Sequence, residues 1–277
     1  MEVIYSIIET ILPFSFIEYD FMKNALLALL IIAPLFGIIG TMIVNNKLSF
    51  FSDALGHSAL TGIALGAIIG VSNYSLSMII FAIIFAIVLN YIKNKKTAST
   101  DTIISVFSSS AVAIGLMLMS KYGGINKYSS YLVGDILSVT ANEIILLFII
   151  LVLTFIIWFK LCNKLVVIST NPSLAKSRGI NVTLIENIFC VLIAVIVMVT
   201  IKWVGILLIN ALLILPAAAS RNISKNMREY TLYSVIISLF SGIIGLILSF
   251  VFEIATGPTI VVISAIIFFV TFVFRRK

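Results

Sequence analysis

Charge is scarce in this chain. Only 10% of its 277 residues are Asp, Glu, Lys or Arg, and it holds a single histidine. A soluble domain carries about 25% charged residues, so no water-facing surface can be assembled from this set. Cysteine is limited to Cys162 and Cys190, without CxxC spacing. Each falls in or beside an apolar run and reads as a small buried hydrophobe, implying neither a disulfide nor a metal cluster. The GxxxxGK[ST] loop that cradles a nucleotide is absent, as are GxSxG and HExxH. One histidine and few carboxylates leave a membrane enzyme poorly supplied with acid–base groups. The N-terminus has no basic n-region and carries Glu2, Glu9, Glu18 and Asp20, so no leader is expected to be removed.

Apolar length is what the chain has in abundance. Hydrophobic residues make up 61% of it and the mean hydropathy is +1.24. Runs of near-spanning length lie at roughly 21–44, 50–70, 75–92, 101–120, 142–160, 184–201, 203–219, 230–252 and 258–274. A spanning helix needs about 20 residues, so the expected fold is all-α: a polytopic transmembrane helical bundle of eight or nine spans. No stretch remains for a separate soluble domain, and 1–277 reads as one membrane domain. Residues 1–20 form an acidic, amphipathic lead-in at the membrane interface. Within 184–219 only Ile201–Lys202 parts two runs, so the number of crossings turns on that division.

The net charge of +7 is not a nucleic-acid patch, because the cations sit between the apolar runs. With connections assigned alternately, one side holds Lys47, Lys93, Lys95, Lys96, Lys160, Lys164, Lys176, Arg178, Arg221, Lys225, Arg228, Arg275, Arg276 and Lys277. The other keeps Lys23, Lys121, Lys127 and Lys202. The positive-inside rule makes the first side cytoplasmic, with the N-terminus outside and the C-terminus inside.

Small residues indicate how the spans pack. Ala54, Ser58, Gly62, Gly66 and Gly70 recur every four residues, a ridge that lets another helix approach closely. Ser241, Gly245 and Ser249 form a shorter ridge, whereas Gly37 and Gly40 read as ordinary glycines of a span.

Asp53 and His57 are the most informative residues. Four apart on a helix, they share a face with Cβ atoms about 5–6 Å apart. Imidazole with carboxylate suits zinc, manganese or iron(II). An ionisable residue at helix centre costs about 2.5–3.5 kcal/mol on insertion scales, so one that persists there usually has a function. The alternative is a buried structural pair whose members satisfy each other, and spacing alone leaves both readings open. In the assigned topology Asp53 lies within a turn or two of the cytoplasmic end. Further along, 168–184 reads ISTNPSLAKSRGINVTL. Asn171 is a good N-cap, Pro172 fits the first helical position and Gly179 a stop, so a short helix should lie across the cytoplasmic face. Weaker candidates for a pathway are Asp135, after a glycine in YLVGDILSV, and mid-span Asn210. Glu143, Glu186 and Glu253 read as interfacial, and Pro216 as a kink.

At these residues the chain resembles the zinc/manganese/iron permeases of ABC importers. Members of that family carry a segment like SFxGDALSHAxLPGxALG, and residues 49–66 read SFFSDALGHSALTGIALG. YLVGDILSVT (131–140), WVGILLINALLILPAAASR (203–221) and TGPTIVVISA (256–265) match in the same order. The resemblance runs from about residue 20 to the C-terminus. It implies a transport subunit rather than an enzyme, in a bacterial cell membrane, moving a divalent metal into the cytoplasm by alternating access. No cofactor would be bound permanently; the ion is cargo. Implied partners are a second copy of the chain, two cytoplasmic ATPase subunits that hydrolyse the ATP, and an extracytoplasmic metal-binding protein. Asp53 and His57 stand at the matching positions of the metal pathway. The 168–184 segment matches the family's coupling loop, DPELARALGV, through Pro172, Leu174, Ala175 and Gly179, while Asn171 and Ser173 replace its acidic residues. Ser52, Gly56 and Thr61 replace the family's usual Gly, Ser and Pro. Rival readings are an ABC permease for cobalamin or iron–siderophore and a proton-coupled secondary metal carrier.

Overall fold

The structure is a computed structural model and describes residues 5, 19–71, 73–95, 98–122 and 130–274. Most of the acidic lead-in therefore lies outside the described residues. The elements are α1 (Asp20–Asn45), α2 (Ser49–Ile69), α3 (Tyr74–Asn94), α4 (Thr100–Tyr122), α5 (Ser130–Val133), a 3-10 turn (Ile136–Ser138), α6 (Ala141–Thr170), α7 (Pro172–Ser177), α8 (Val182–Val204), α9 (Ile206–Ile223), α10 (Met227–Val251) and α11 (Thr256–Val273). No strand occurs among the described residues. Eight of these helices are long and apolar enough to cross a membrane, and the shorter apolar Leu208–Ile223 lies within α9. The chain is a multi-pass membrane protein.

Asparagine opens many of the helices. Asn73, Asn171, Asn181 and Asn226 each adopt extended backbone and accept from an N–H of the following turn, satisfying donors that have no partner inside the helix. At Asn226 the cap is reciprocal: Glu229 donates its N–H to Asn226 at 2.9 Å, and its carboxylate accepts from the Lys225 N–H at 2.8 Å.

Two boundaries differ from the sequence reading. α6 continues ten residues past Lys160 to Thr170, because Leu161, Leu165 and Ile168 are buried at helical spacing while Lys160 and Lys164 stay exposed. The parting of α8 from α9 falls at Gly205 rather than Ile201–Lys202. Gly205 takes φ +88, a conformation open to glycine, and its N–H still closes α8 on the Ile201 carbonyl.

The chain divides into two compact units, one comprising 1–41, 134–155 and 211–277, the other 42–133 and 156–210. In the first, α10 packs along α11. Its ridge Ser241, Gly245 and Ser249 is buried, and the Ser249 hydroxyl lies 3.0 Å from that of Thr256. Ser234 of α10 donates to the Gly37 carbonyl of α1 at 2.8 Å. In the second unit α2 is the central helix, packed against α4, α3 and α8. Thr61 donates to the Ala111 carbonyl of α4. Gly62 lies so close to α3 that a Cβ there would stand 2.9 Å from Met78 Cα, and Ser77 donates to the Gly62 carbonyl at 2.8 Å. The ridge thus runs from Ala54 to Gly66; Gly70 instead ends the helix at φ +81 with open space around it.

Candidate metal-pathway site

Burial along α2 isolates the candidate pair. From Phe51 to Ala64 every residue is buried except Asp53 and His57. Apolar and small side chains seal the helix against its neighbours and leave open the two positions that could bind a cation. Their side chains are 41% and 33% exposed, and His57 Nε2 stands 3.6 Å from Asp53 Oδ2. That is an ion-pair distance, too long for a hydrogen bond. Among the described residues neither has another polar partner. A buried structural pair would be closed and mutually bonded; this one is open and loosely associated, with no hydrogen bond tying one group to the other.

The surroundings fix where the pair stands. Asp53 lies four residues into α2, about 6 Å along its axis. The turn before α2 is tied to the end of α6, where the Asn45 amide donates to the Ser169 hydroxyl at 2.6 Å. Two residues later Asn171 accepts from the N–H groups of Ser173 and Leu174 at 3.0 and 3.1 Å and opens α7 on Pro172. Within α7 Leu174 is 43% exposed while Ala175 is fully buried, and Gly179 follows at φ +73. The pair and the 168–184 segment therefore occupy the same end of the unit.

The remaining candidates separate. Asn210 lies beside the pair, its side-chain oxygen 2.5 Å from the Ser52 hydroxyl. Asp135 belongs to the other unit, where its carboxylate accepts from the Leu137 N–H at 3.0 Å and caps the 3-10 turn. Glu143 likewise caps α6 through the Thr140 N–H at 2.9 Å. Glu186 is no simple interfacial group: it accepts from Asn94 at 3.0 Å and pairs with Lys93 at 3.4 Å, beside an Asn90–Asn187 bond of 2.6 Å between α3 and α8.

The family model described as "ABC 3 transport family" matches residues 18–275. The chain belongs to this family. Among its relatives, the high-affinity zinc uptake system membrane protein ZnuB of Haemophilus influenzae is 30% identical over 94% of this chain and 99% of its own length. The manganese import system permease protein ScaB of Streptococcus gordonii is 30% identical, covering 94% of this chain and 93% of its own. Among solved structures, PsaBC from Streptococcus pneumoniae in complex with Fab superposes with a TM-score of 0.81 at 25% identity, covering 98% of this chain and 95% of that one. The family resemblance found in the four ordered motifs thus extends over almost the whole chain. The sequence reading took Ser52 only as a departure from the family's usual glycine and Glu186 as interfacial, and it missed the Ser52–Asn210 contact, the Glu186 pairing and the Asn90–Asn187 bond. A serine in an apolar helix carries no signal of its own, and the two asparagines are 97 residues apart.

Proposed function

We propose that this chain is the membrane permease of an ATP-driven importer of a divalent transition metal, zinc, manganese or iron, and that Asp53 and His57 bind the ion in transit. The observation that carries the proposal is the pair itself, an imidazole and a carboxylate at the only open positions of the buried stretch from Phe51 to Ala64. The names of the zinc and manganese relatives support the cargo class. Two protein ligands leave at least half of a metal's coordination positions to water or to a second copy of the chain. The resulting hold is weak, which release requires. In a homodimer, two such pairs would face one passage.

The chain has no nucleotide-binding loop, so two cytoplasmic ATPase subunits supply the energy, and an extracytoplasmic binding protein delivers the ion. The segment 168–184 is the docking element: the exposed Leu174 of α7 would seat in the ATPase, and Ala175 fixes α7 to the permease. This reading puts the N-terminus outside and the C-terminus in the cytoplasm, as the lysine and arginine distribution favours. Asp53 and His57 then form a station near the cytoplasmic exit, because they share an end of the unit with α7.

The test is uptake of radiolabelled zinc(II) and manganese(II) by cells that express the chain with its ATPase and binding protein. Asp53→Asn and His57→Ala should abolish uptake while membrane insertion and recovery with the ATPase persist. Uptake at wild-type rates in both variants would refute the site. Purification without any ATPase would favour a secondary carrier.

A further inference from the structure

The face of α2 beside the site stripe rests on the start of α9, where a serine meets an asparagine. Ser52 has no exposed surface. Its hydroxyl lies 2.5 Å from Asn210 Oδ1 and 2.9 Å from the Ser49 carbonyl one turn back in its own helix. One turn further on, Gly56 faces the same segment, and a Cβ built there would stand 3.5 Å from the Ile206 carbonyl and from Ile209 Cγ2. Residues 52 and 56 thus bear on α9, and Asp53 and His57 follow each by one residue, about 100° round the helix.

A hydroxyl has one proton. Ser52 can give it to Asn210, joining two helices, or to Ser49, staying within its own. When the bond to Asn210 breaks, the i−3 carbonyl takes the proton, and no buried donor is left without a partner. The acceptor released, Asn210, is partly exposed and can be solvated. Exchanging the two bonds therefore avoids the full desolvation penalty that usually makes a buried hydrogen bond costly to open. Asn210 itself stands five residues after Gly205, where φ +88 breaks α8 from α9.

We propose that Asn210 is a positioning residue for the ion site: it latches Ser52 when the Asp53–His57 stripe is set to receive the ion and releases it when α9 moves. The inference rests on the metal-permease reading above. Its experiment compares Asn210→Ala, Ser52→Ala and the double variant in the same cells, with uptake normalised to assembled permease–ATPase complex. Initial rates are measured over a range of manganese(II) or zinc(II). Each single variant should lower the maximal rate about two- to tenfold, the effect of one hydrogen bond. The concentration for half-maximal rate should change little, and the double variant should be no slower than the slower single.

A purely structural role would lower the amount of complex and leave the normalised rate intact, which overturns the proposal. So does a double variant whose loss is the product of the two single losses. If Ser52→Ala fails to assemble, Asn210→Ala decides alone: a wild-type maximal rate refutes the latch. Asp53→Asn and His57→Ala run in parallel. Normal uptake in those two sinks the metal-site reading itself, whereas their failure beside a normal Asn210→Ala sinks only the latch.

Discussion

Gly62 and Gly56 lie on the same helix and should respond in opposite ways to one added methyl group. At Gly62 the new Cβ would stand 2.9 Å from Met78 Cα and 3.3 Å from Phe81 Cβ. Met78 Cα is backbone, so the contact can relax only if α3 moves outward, by about 0.6–1.1 Å to reach an ordinary carbon–carbon separation. Overpacking of this kind costs about 1–3 kcal/mol. Against it stands the gain of alanine over glycine in a helix, about 1 kcal/mol. At Gly56 the nearest atoms are already at 3.5 Å, ordinary contact, so the helix gain stands almost alone. The two variants should therefore differ by about 1–3 kcal/mol, with Gly62→Ala the less stable. For a chain of this size that corresponds to about 2–12 °C in thermal midpoint. The assay is thermal unfolding of the purified protein in one detergent, followed by tryptophan fluorescence at a fixed scan rate, since irreversible unfolding makes midpoints depend on rate. A Gly62→Ala midpoint equal to or above that of Gly56→Ala would refute the close α2–α3 packing on which the site helix depends.

Three further outcomes follow from particular contacts. Glu186→Gln strands Lys93, whose side chain is 13% exposed, and should lower stability by about 1–3 kcal/mol, whereas Lys93→Met combined with Glu186→Gln should recover part of the loss. The same thermal assay checks it, and a double variant less stable than the single would contradict the pairing. Asn171→Ala removes the cap of α7, worth about 1 kcal/mol, and should weaken co-purification of the ATPase without reducing membrane insertion. Asp135→Asn keeps an oxygen to cap the 3-10 turn and removes only the charge, so uptake should remain near wild type; a loss of uptake at unchanged stability would move the carboxylate onto the ion path.

Composition and periodicity were enough to read the helices, and the small-residue ridge of α2 was legible because its four-residue spacing is a local property. So was the cap at Asn171, where Asn and Pro stand side by side. The end of α6 was not, because Lys160 and Lys164 look like a membrane boundary until the buried Leu161, Leu165 and Ile168 show the helix continuing with one face covered. Gly37 and Gly40 read in the sequence as ordinary glycines of a span, and the structure corrects that reading. A single glycine in a span is ordinary, and only the tertiary structure reveals that a Cβ at Gly37 would meet the backbone of Val235 and one at Gly40 the carbonyl of Leu213. At the site, the spacing of Asp53 and His57 placed both on one stripe, yet it did not separate a closed structural pair from an open one. The separation of 3.6 Å and the exposure of both side chains distinguish them. Asn210 was visible as a polar residue in mid-span, but its partner Ser52 is 158 residues away.

The most direct test of the ion station is the coordination of metal held by the assembled transporter when it is trapped in mid-cycle. X-ray absorption at the zinc edge should report nitrogen at about 2.0–2.1 Å with the outer scattering of an imidazole ring. The ring signal that the permease contributes should be lost in His57→Ala, because the chain has no other histidine. Identical spectra and equal metal content in the two proteins would contradict the account.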